Sequence, residues 1–233
     1  MKLLITTRAD NRIPDWVALT HPLLKEYAAK VGADFQVIDY VTDCDVGDGR
    51  WHYRIMKHYE LHEEYDRILH IDTDTLIMPS CPNLFEVVDP DEIGTCCEDK
   101  GPRQHARLQS IYLAQQKFGA IGWNREYINT GVFVTSKEHR EIYTKINGEY
   151  WTDWGSDDVH IGYLIKKNGF EINDLGYKFN HMTMFSQDWN GGPSRFDSHI
   201  IHYAGVGLFE DAKAQGIDNK LDQAKLDYQR VYG

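Results

Sequence analysis

Short apolar runs alternate along the chain with longer segments in which apolar residues recur at helical spacing. The first run covers residues 2–7, and a helical pattern then covers residues 16–31 and ends at Gly32. Short apolar runs are typical of strands that are covered on both faces. Helices supply that cover when strand and helix signals alternate, so the pattern predicts an α/β fold.

The same two patterns continue to the C-terminus. Further strands are predicted at residues 34–40, 66–71, 92–97, 127–134, 171–173, 177–179 and 200–203. Further helices are predicted at residues 51–64, 104–118, 137–146, 157–167 and 219–232, with a loop at Gly47 to Gly49. The sequence has no repeat, low-complexity tract or evident linker, and its 233 residues suit one domain.

The acidic balance of the chain limits its partners. It has 36 Asp and Glu residues against 25 Lys and Arg residues, for a formal net charge of −11. Nucleic-acid backbones require clustered basic residues, so we expect no nucleic-acid partner, although a nucleotide held through a metal ion is compatible with this charge. No apolar run approaches the ~20 residues of a membrane span, so we expect no transmembrane segment.

The N-terminus and the cysteines favour a cytoplasmic protein. The apolar run in the first eight residues is too short for a signal peptide. The cysteines Cys44, Cys81, Cys96 and Cys97 lack the spacing of a metal site and fit reduced thiols. We therefore expect a cytoplasmic location, for a whole protein or for one domain of a longer one.

Two carboxylates directly follow a predicted apolar strand. Asp72 and Asp74 come after residues 68–71 and are one residue apart. Extended side chains two positions apart leave on the same face, and ligands of α/β sheets collect at the carboxyl ends of strands. Two like charges there repel unless a cation lies between them, which predicts a divalent-metal site that holds a phosphorylated substrate. The alternative is a solvated turn.

A histidine follows a later apolar run. His202 comes after residues 200–201 and precedes Gly205. Neutral imidazole is a good metal ligand, and glycine allows a backbone to approach a phosphate closely. His202 is therefore a candidate metal ligand, or otherwise a hydrogen-bonded structural histidine.

Polar residues interrupt one apolar strand and open one helix. Asn129, Thr130 and Gly131 lie within the predicted strand 127–134, where a glycine marks either a close ligand or a β-bulge. Asp157 and Asp158 lie in the first turn of a predicted helix. The helix dipole alone explains two acids there, whereas a functional acid would bind sugar hydroxyls or act as a base.

Hydroxyl and basic side chains complete the candidates. Thr6, Thr7 and Arg8 end the first strand, at the edge of the sheet where a nucleotide would bind. Arg54 and Lys57 are three residues apart and share one face of the predicted helix 51–64. They would reach a diphosphate or would simply be solvated.

The order of these elements resembles that of the GT-A nucleotide-sugar glycosyltransferases, most closely the group of glycogenin and the bacterial lipopolysaccharide galactosyltransferases. The resemblance covers residues 2–205. Tyr65 to Ile77 is similar to the family's metal strand, Asn129 to Val132 to its Asn-x-Gly-Val strand, and His202 to Gly205 to its His-x-x-Gly element. An Asp-x-Asp pattern alone is common, and the order of all the elements is more specific.

The resemblance implies a fold and an activity. The fold would be a single GT-A (Rossmann-like) domain over residues 1–233, with a central mixed, mostly parallel sheet flanked by helices. Its nucleotide-binding half would span about residues 1–100, its donor-sugar and acceptor half about 101–210, and its C-terminal helix about 218–232. The activity would be metal-dependent transfer of a sugar from a nucleoside-diphosphate sugar, usually a UDP-sugar, to an acceptor hydroxyl such as that of a glycan.

The resemblance also implies a role for each candidate residue. The implied ligands of Mn²⁺ (or Mg²⁺) are Asp72, Asp74 and His202. The implied nucleotide and diphosphate contacts are Thr6, Thr7, Arg8, Arg54 and Lys57. The implied donor-sugar contacts are Asn129, Thr130 and Gly131, and the implied catalytic acids are Asp157 and Asp158.

One departure and three rival classes accompany this interpretation. The family usually follows His-x-x-Gly with Lys-Pro-Trp, whose Lys touches the diphosphate, whereas this chain has Val206, Gly207 and Leu208. A haloacid-dehalogenase-type phosphohydrolase also carries Asp-x-Asp after a strand, but near its start and with a Thr where this chain has Leu76. A sugar-1-phosphate nucleotidyltransferase would need a Gly-rich basic loop after the first strand, and an inactive sugar- or nucleotide-binding domain is the non-enzymatic alternative.

Overall fold

The computed structural model describes residues 1–39 and 51–233. The strands in these ranges are β1 (Leu3–Arg8), β2 (Asp34–Ile38), β3 (Arg67–Ile71), β4 (Thr75–Ile77), β5 (Glu92–Cys97), β6 (Ile128–Ser136), β7 (Glu171–Asp174) and β8 (Ile200–His202). The α-helices are α1 (Pro14–Val31), α2 (His58–Leu61), α3 (Leu84–Val87), α4 (Gln104–Phe118), α5 (Ser156–Asn168) and α6 (Lys220–Tyr232).

The main sheet is mixed and mostly parallel, as predicted. It has six strands in the order β2-β1-β3-β6-β5-β7. β1 pairs in parallel with β2 and β3, and β5 pairs in parallel with β7, whereas β6 is antiparallel to both of its neighbours. The carboxyl ends of β1, β3 and β5 therefore meet the first residues of β6 at one edge of the sheet.

Helices cover both faces of this sheet. Along β6, Val132 and Val134 pack in one apolar cluster with Leu24 of α1, while Ile128 and Phe133 belong to another that contains Ile161 of α5. Successive side chains of a strand point to opposite faces, so a strand buried on both faces must be apolar at consecutive positions. This accounts for the consecutive apolar residues Val132, Phe133 and Val134 of β6.

A second, two-stranded sheet lies beside the main one. β4 and β8 pair antiparallel, with Thr75 opposite His202. The pairing continues beyond the strands, because the Tyr203 amide donates to the Asp74 carbonyl oxygen at 2.9 Å. The small sheet thus brings the residue before β4 next to the end of β8.

Three predicted elements differ in the structure. Residues 177–179, predicted as a strand, form a 3₁₀ turn, because Tyr177 and Phe179 pack against neighbouring rings while the backbone closes local hydrogen bonds. The predicted helix 51–64 is a 3₁₀ segment at Trp51–Lys57 followed by the short α2. The predicted helix 137–146 is a 3₁₀ segment at Lys137–Tyr143, which Ser136 caps.

Other predictions fall partly beyond the described residues. The strand predicted at 34–40 ends at Ile38, while Tyr40, Cys44 and the loop Gly47 to Gly49 lie outside them. Within residues 1–39 and 51–233, no helix has the length and apolar character needed to cross a membrane. The two halves that the sequence suggested share one sheet, because β5 pairs with β6 and β7, and the division of the chain into these halves stays a prediction.

Candidate active site

A cavity of about 670 Å³ opens at the edge of the sheet where β1, β3 and β5 end and β6 begins. The sequence-predicted residues that line it are Arg8, Asp72, Asp74, Asn129, Thr130, Gly131, Asp157, Asp158 and His202. The structure therefore brings together nine candidates from five separate parts of the chain. Such a crevice at the carboxyl ends of strands is where α/β sheets bind ligands.

Three of these residues form a candidate metal centre, which we call the metal wall: Asp72, Asp74 and His202. Each offers one ligand atom, and these atoms all lie within 4.8 Å of one another. His202 Nε2 lies 3.3 Å from Asp74 Oδ1 and 3.8 Å from Asp72 Oδ2. Burial alone would lower the pKa of His202, but the Asp74 and Asp72 carboxylates raise it above its usual value. The cluster therefore favours a positive charge at its centre.

The orientation of His202 suits metal binding. Its Nδ1 lies 2.7 Å from Asn180 Oδ1, and the Asn180 amide nitrogen donates to Asn129 Oδ1 at 2.8 Å. Because Asn180 Oδ1 accepts, Nδ1 of the imidazole is the nitrogen that carries the proton. This leaves the Nε2 lone pair facing the two carboxylates, in the arrangement by which outer residues orient metal-binding histidines.

Gly131 is explained by the same histidine. A Cβ added at Gly131 would lie 2.3 Å from His202 Cε1 and 2.9 Å from Asn129 Oδ1. Real Cβ atoms do not approach that closely, so any side chain here would displace the imidazole. The close neighbour of this glycine is therefore a metal-wall side chain, and the pairing of β6 with β5 shifts register between Gly94 and Cys96, so the alternative of a β-bulge fits this part of β6.

The hydrogen bonds of the Asp72 carboxylate to the described side chains are made through one oxygen, Oδ1. Its Oδ1 accepts from Arg8 Nε at 3.1 Å and from Arg8 Nη2 at 2.7 Å, and lies 3.1 Å from His70 Nε2. Oδ2 is the oxygen that faces His202. Burial alone would raise the pKa of this carboxyl, but the Arg8 guanidinium and His70 hold it well below its usual range. Asp72 is thus an ionised carboxylate with one oxygen left for a ligand.

Arg8 joins the metal wall to the start of α5. The guanidinium is 2% exposed, and its Nη1 donates to Asp157 Oδ2 at 2.7 Å and to the His52 carbonyl oxygen at 2.5 Å. Its other two nitrogens, Nε and Nη2, donate to Asp72. The sequence predicted a nucleotide contact, and the structure places Arg8 as a buried bridge between two acids.

We call Glu98, Asp157 and Asp158 the acidic wall of the cavity. Asp158 Oδ1 accepts from the Thr130 amide at 2.8 Å, and Asp157 Oδ2 accepts from the Thr130 hydroxyl at 2.8 Å. Asp157 is buried, whereas Asp158 is half-buried and lines the cavity. Burial, together with the neighbouring charges of Asp157 and Glu98, raises the pKa of Asp158 well above its usual value. Asp158 is therefore suited to hold a proton.

The start of α5 depends on a second glycine. Gly155 is the N-cap residue at φ +86°, and an added Cβ would lie 2.4 Å from the Tyr127 hydroxyl oxygen. Asp157 and Asp158 follow in the first helical turn, as predicted. Their hydrogen bonds to Thr130 show that the helix dipole is only part of their environment.

Two of the remaining nucleotide candidates, Thr6 and Thr7, are buried behind the cavity. Thr6 is fully buried, with its hydroxyl 2.8 Å from His58 Nε2 and 3.0 Å from His70 Nδ1. Thr7 is also buried, with its hydroxyl 2.9 Å from that of Thr73. Neither threonine lines the cavity, so their side chains support the sheet behind it.

Arg54 and Lys57 are separated by the fold. Arg54 lines a smaller cavity of about 180 Å³, which shares Arg8, Trp51 and Asp74 with the main one. Its Nη1 lies 3.3 Å from Asp10 Oδ2, and its buried Nε has no hydrogen-bond partner in the described chain. Lys57 pairs with Glu60 and lines neither cavity. Of the two, Arg54 is the one placed for a ligand.

Several cavity residues were missed by the sequence analysis. Glu98 follows β5 and accepts from the Asn129 amide at 2.7 Å, and Arg107 of α4 forms a buried ion pair with it. The Arg107 guanidinium also lies 4.4 Å from the ring centre of Trp154, which is 53% exposed at the cavity. A carboxylate directly after an apolar strand was a usable signal for Glu98. Nothing local marks Arg107 or Asn180.

Several solved glycosyltransferase structures are similar in fold to this chain. A glycosyltransferase involved in glycosylation of the major capsid of PBCV-1 superposes with a TM-score of 0.60 at 14% identity, covering 97% of this chain and 100% of that one. The galactosyltransferase LgtC, in complex with donor and acceptor sugar analogs, gives a TM-score of 0.61 at 16% identity, covering 99% and 96%. The bifunctional glycosyltransferase WbbM gives 0.55 at 11% identity, over 88% of this chain and 46% of that one.

No protein-family model matches the sequence, and no curated protein matches it. The structural matches show that this chain has the GT-A-type α/β fold of the glycosyltransferase group that its motifs resemble.

Proposed function

We propose that this protein is a metal-dependent glycosyltransferase that moves a sugar from a nucleoside-diphosphate sugar, most naturally a UDP-sugar, to an acceptor hydroxyl on a glycan. The observation that carries the proposal is the metal wall, placed in a large cavity at the ligand-binding edge of a GT-A-type sheet. The fold alone would suit many reactions, so the function rests on these three side chains.

The donor atoms of the metal wall fit a divalent ion such as Mn²⁺ or Mg²⁺. Asp72 and Asp74 supply carboxylate oxygens and His202 an imidazole nitrogen that already faces them. Carboxylates suit Mn²⁺ and Mg²⁺, and the imidazole favours the transition metal. A bound ion would neutralise the charge that builds on the diphosphate as the sugar departs. The residues around it keep Asp72 ionised and hold the Nε2 lone pair of His202 in place.

The donor would lie across the two cavities. We place the nucleoside in the smaller cavity, beside Arg54, and the sugar in the main cavity near residues 129–131. Asp74 and Arg8 line both cavities. The diphosphate would therefore cross at the metal wall, where a cation is most effective.

Within the acidic wall, Asp158 is our candidate for contact with the substrate. It is half-buried at the cavity, and its raised pKa suits a group that accepts a proton from an attacking hydroxyl or binds a sugar hydroxyl. Asp157 is occupied by Arg8 and Thr130, so we assign it a positioning role.

The decisive experiment measures nucleoside-diphosphate release from UDP-sugars with increasing Mn²⁺, comparing the wild type with Asp74→Asn. Asp74 is a suitable position because its carboxylate meets only His202 among the described side chains. Losing one electrostatic contact to the leaving group lowers the rate by about 10²–10³-fold. We expect this loss together with loss of the stabilisation by Mn²⁺ in thermal melts. Asp188→Asn changes an exposed acid outside both cavities and should behave as wild type.

Three results would contradict the proposal. Unchanged turnover in Asp74→Asn would show that the metal wall takes no part in the reaction. Hydrolysis of para-nitrophenyl phosphate without any nucleotide sugar would instead favour the phosphohydrolase, for which the fold comparison gives no support. Metal and nucleotide binding without transfer to any acceptor or to water would indicate an inactive binding domain.

A further inference from the structure

The cavity is rich in acids, and its basic side chains are mostly occupied by them. Among residues 1–39 and 51–233, the acids that line it are Asp72, Asp74, Glu98, Asp153, Asp157 and Asp158, whereas the arginines are Arg8, Arg103 and Arg107. A diphosphate entering such a cavity meets net negative charge. One divalent ion compensates only part of that charge, so a free cation in the cavity wall would matter for binding.

Two of the three arginines already have carboxylate partners. Arg8 forms ion pairs with Asp72 and Asp157. Arg107 forms its ion pair with Glu98 and lies over the rings of Tyr127 and Trp154. Arg103, by contrast, makes no side-chain hydrogen bond or ion pair with any residue of ranges 1–39 and 51–233. It is half-buried in the cavity wall, just before α4.

The position of Arg103 relates it to the metal wall. Its Nη2 lies 3.8 Å from the point where a Cβ on Gly205 would be. Gly205 also lines the cavity and comes three residues after His202. The guanidinium therefore reaches the loop that directly follows a metal-wall residue. The next residues of this loop, Val206 to Leu208, contribute no basic side chain.

The other cation beside this loop is engaged elsewhere. The Lys220 ammonium donates to the Gly205 carbonyl oxygen, and Lys220 lines a separate surface cleft with Lys213 and Asp218. It therefore holds the loop from outside. Arg103 remains the basic group on the cavity side.

We propose that Arg103 binds the diphosphate of the donor opposite the metal ion and supports its departure as the leaving group. This assignment rests on the proposed function, because it presumes a diphosphate at the metal wall. A guanidinium presents two parallel N–H donors that match phosphate oxygens, and its charge is independent of pH in the working range. Arg103 thereby supplies the second positive charge that the acidic cavity requires, and it does so from the segment before α4.

The test compares Arg103→Gln and Arg103→Lys with the wild type by titration calorimetry. The probes are UDP with Mn²⁺, inorganic pyrophosphate with Mn²⁺, and Mn²⁺ alone. A hydrogen bond to a charged group corresponds to about a 10- to 100-fold change in affinity. We expect that loss for both phosphate probes in Arg103→Gln, a partial recovery in Arg103→Lys, and unchanged affinity for Mn²⁺ alone. Arg125→Gln removes the same charge at an exposed position outside both cavities and serves as the control.

Each other outcome overturns the assignment in a recognisable way. Wild-type affinity for both phosphate probes in Arg103→Gln would show that Arg103 does not touch the diphosphate, and would leave the proposed function intact. A parallel loss of affinity for Mn²⁺ alone would show that Arg103 merely supports the metal wall. Failure of the wild type itself to bind either phosphate probe with Mn²⁺ would overturn the proposed function together with the role of Arg103.

Discussion

The metal wall and the acidic wall line one cavity but treat their carboxylates in opposite ways. The pKa of Asp72 in the metal wall is held well below its usual range, whereas that of Asp158 in the acidic wall is raised well above it. Both carboxylates are largely withdrawn from solvent, so burial alone does not explain the difference. The difference comes from the charged neighbours, because Arg8 and His70 contact Asp72 whereas Asp158 lies near the like charges of Asp157 and Glu98.

This contrast assigns separate tasks to acids of the same type. A carboxylate kept ionised is ready to bind a cation, and a carboxyl whose pKa is raised is better suited to exchange a proton with a hydroxyl. Acid and base roles in active sites are commonly separated by environments that push two pKa values apart. Arg8, which donates to Asp72 and Asp157 but not to Asp158, is one main source of the electrostatic difference between the two walls.

Removing Arg8 tests this comparison with the largest expected effect. In Arg8→Met, Asp72 and Asp157 become buried acids without their counter-charge, a defect that costs about 3–5 kcal/mol. We expect that loss in the free energy of unfolding measured by urea titration at pH 7. Without the guanidinium the pKa of Asp72 would rise above its unfolded value of ~4, so the folded variant binds a proton before the unfolded chain does and the deficit should shrink as the pH falls from 7 to ~4. Below ~4 it should shrink further, because the wild type then loses the stability that comes from the lowered pKa of Asp72.

The control for this prediction is Arg125→Met, an exposed arginine with the same change of side chain. Its free energy of unfolding should stay close to that of the wild type. A deficit in Arg8→Met that is equal at pH 7 and below pH 4 would mean that packing, rather than charge, makes Arg8 important.

Asp158→Asn separates activity from stability. We expect sugar transfer to fall by about 10²–10⁴-fold, the usual contribution of a general acid or base. The melting temperature should rise at pH 7–8, because the wild type must ionise a carboxyl with a raised pKa as the pH rises above the unfolded value of ~4. Below that pH the gain should vanish, since the wild-type carboxyl is then protonated in both states.

Asp157→Asn is the matched comparison for this variant. It weakens a partner of Arg8 and should lower the melting temperature at neutral pH. If Asp157→Asn and Asp158→Asn both raised it, the two acids would share one environment and the proposed division between them would fail.

Asn180→Ala probes the metal wall alone, with the smallest expected effect. Without the Asn180 carbonyl oxygen, the proton on Nδ1 of His202 loses its acceptor and the ring loses its orientation. Outer partners of this kind change metal affinity by about 10- to 100-fold. We expect that weakening for Mn²⁺ by calorimetry. Asn173→Ala, whose amide instead donates to Glu92, should bind Mn²⁺ as the wild type does.

Much of this arrangement was predictable from local patterns. Apolar runs gave the main strands, and strand ends gave Asp72, Asp74 and His202, which the fold brings within reach of one ion. The strands and the proximity of these three side chains were predictable because strand period and the carboxyl-edge rule depend on few residues, and metal binding by them stays a prediction. The strand predicted at residues 177–179 was wrong, because the alternating apolar side chains there pack against neighbouring aromatic rings and do not join a sheet.

The rest of the site depends on contacts between distant segments. Asn180 lies in a turn, and only the fold places its amide between Asn129 and His202. Arg8 looked like a free basic residue at a strand end, since nothing in its neighbours reveals that Asp157 would reach it from the far half of the chain. Sequence patterns therefore indicated many of the residues that meet at the cavity, but not which of them neutralise one another.

The pairing of β4 with β8 has a consequence for how the protein is made. His202 ends one of these strands and Asp74 precedes the other. More than half of the sequence therefore separates Asp72 and Asp74 from His202, the third member of the metal wall. During vectorial synthesis on the ribosome, the two aspartates emerge long before the histidine that completes their set. A nascent chain would consequently lack the proposed metal site until β8 has left the exit tunnel, and the proposed sugar transfer could begin only after that point.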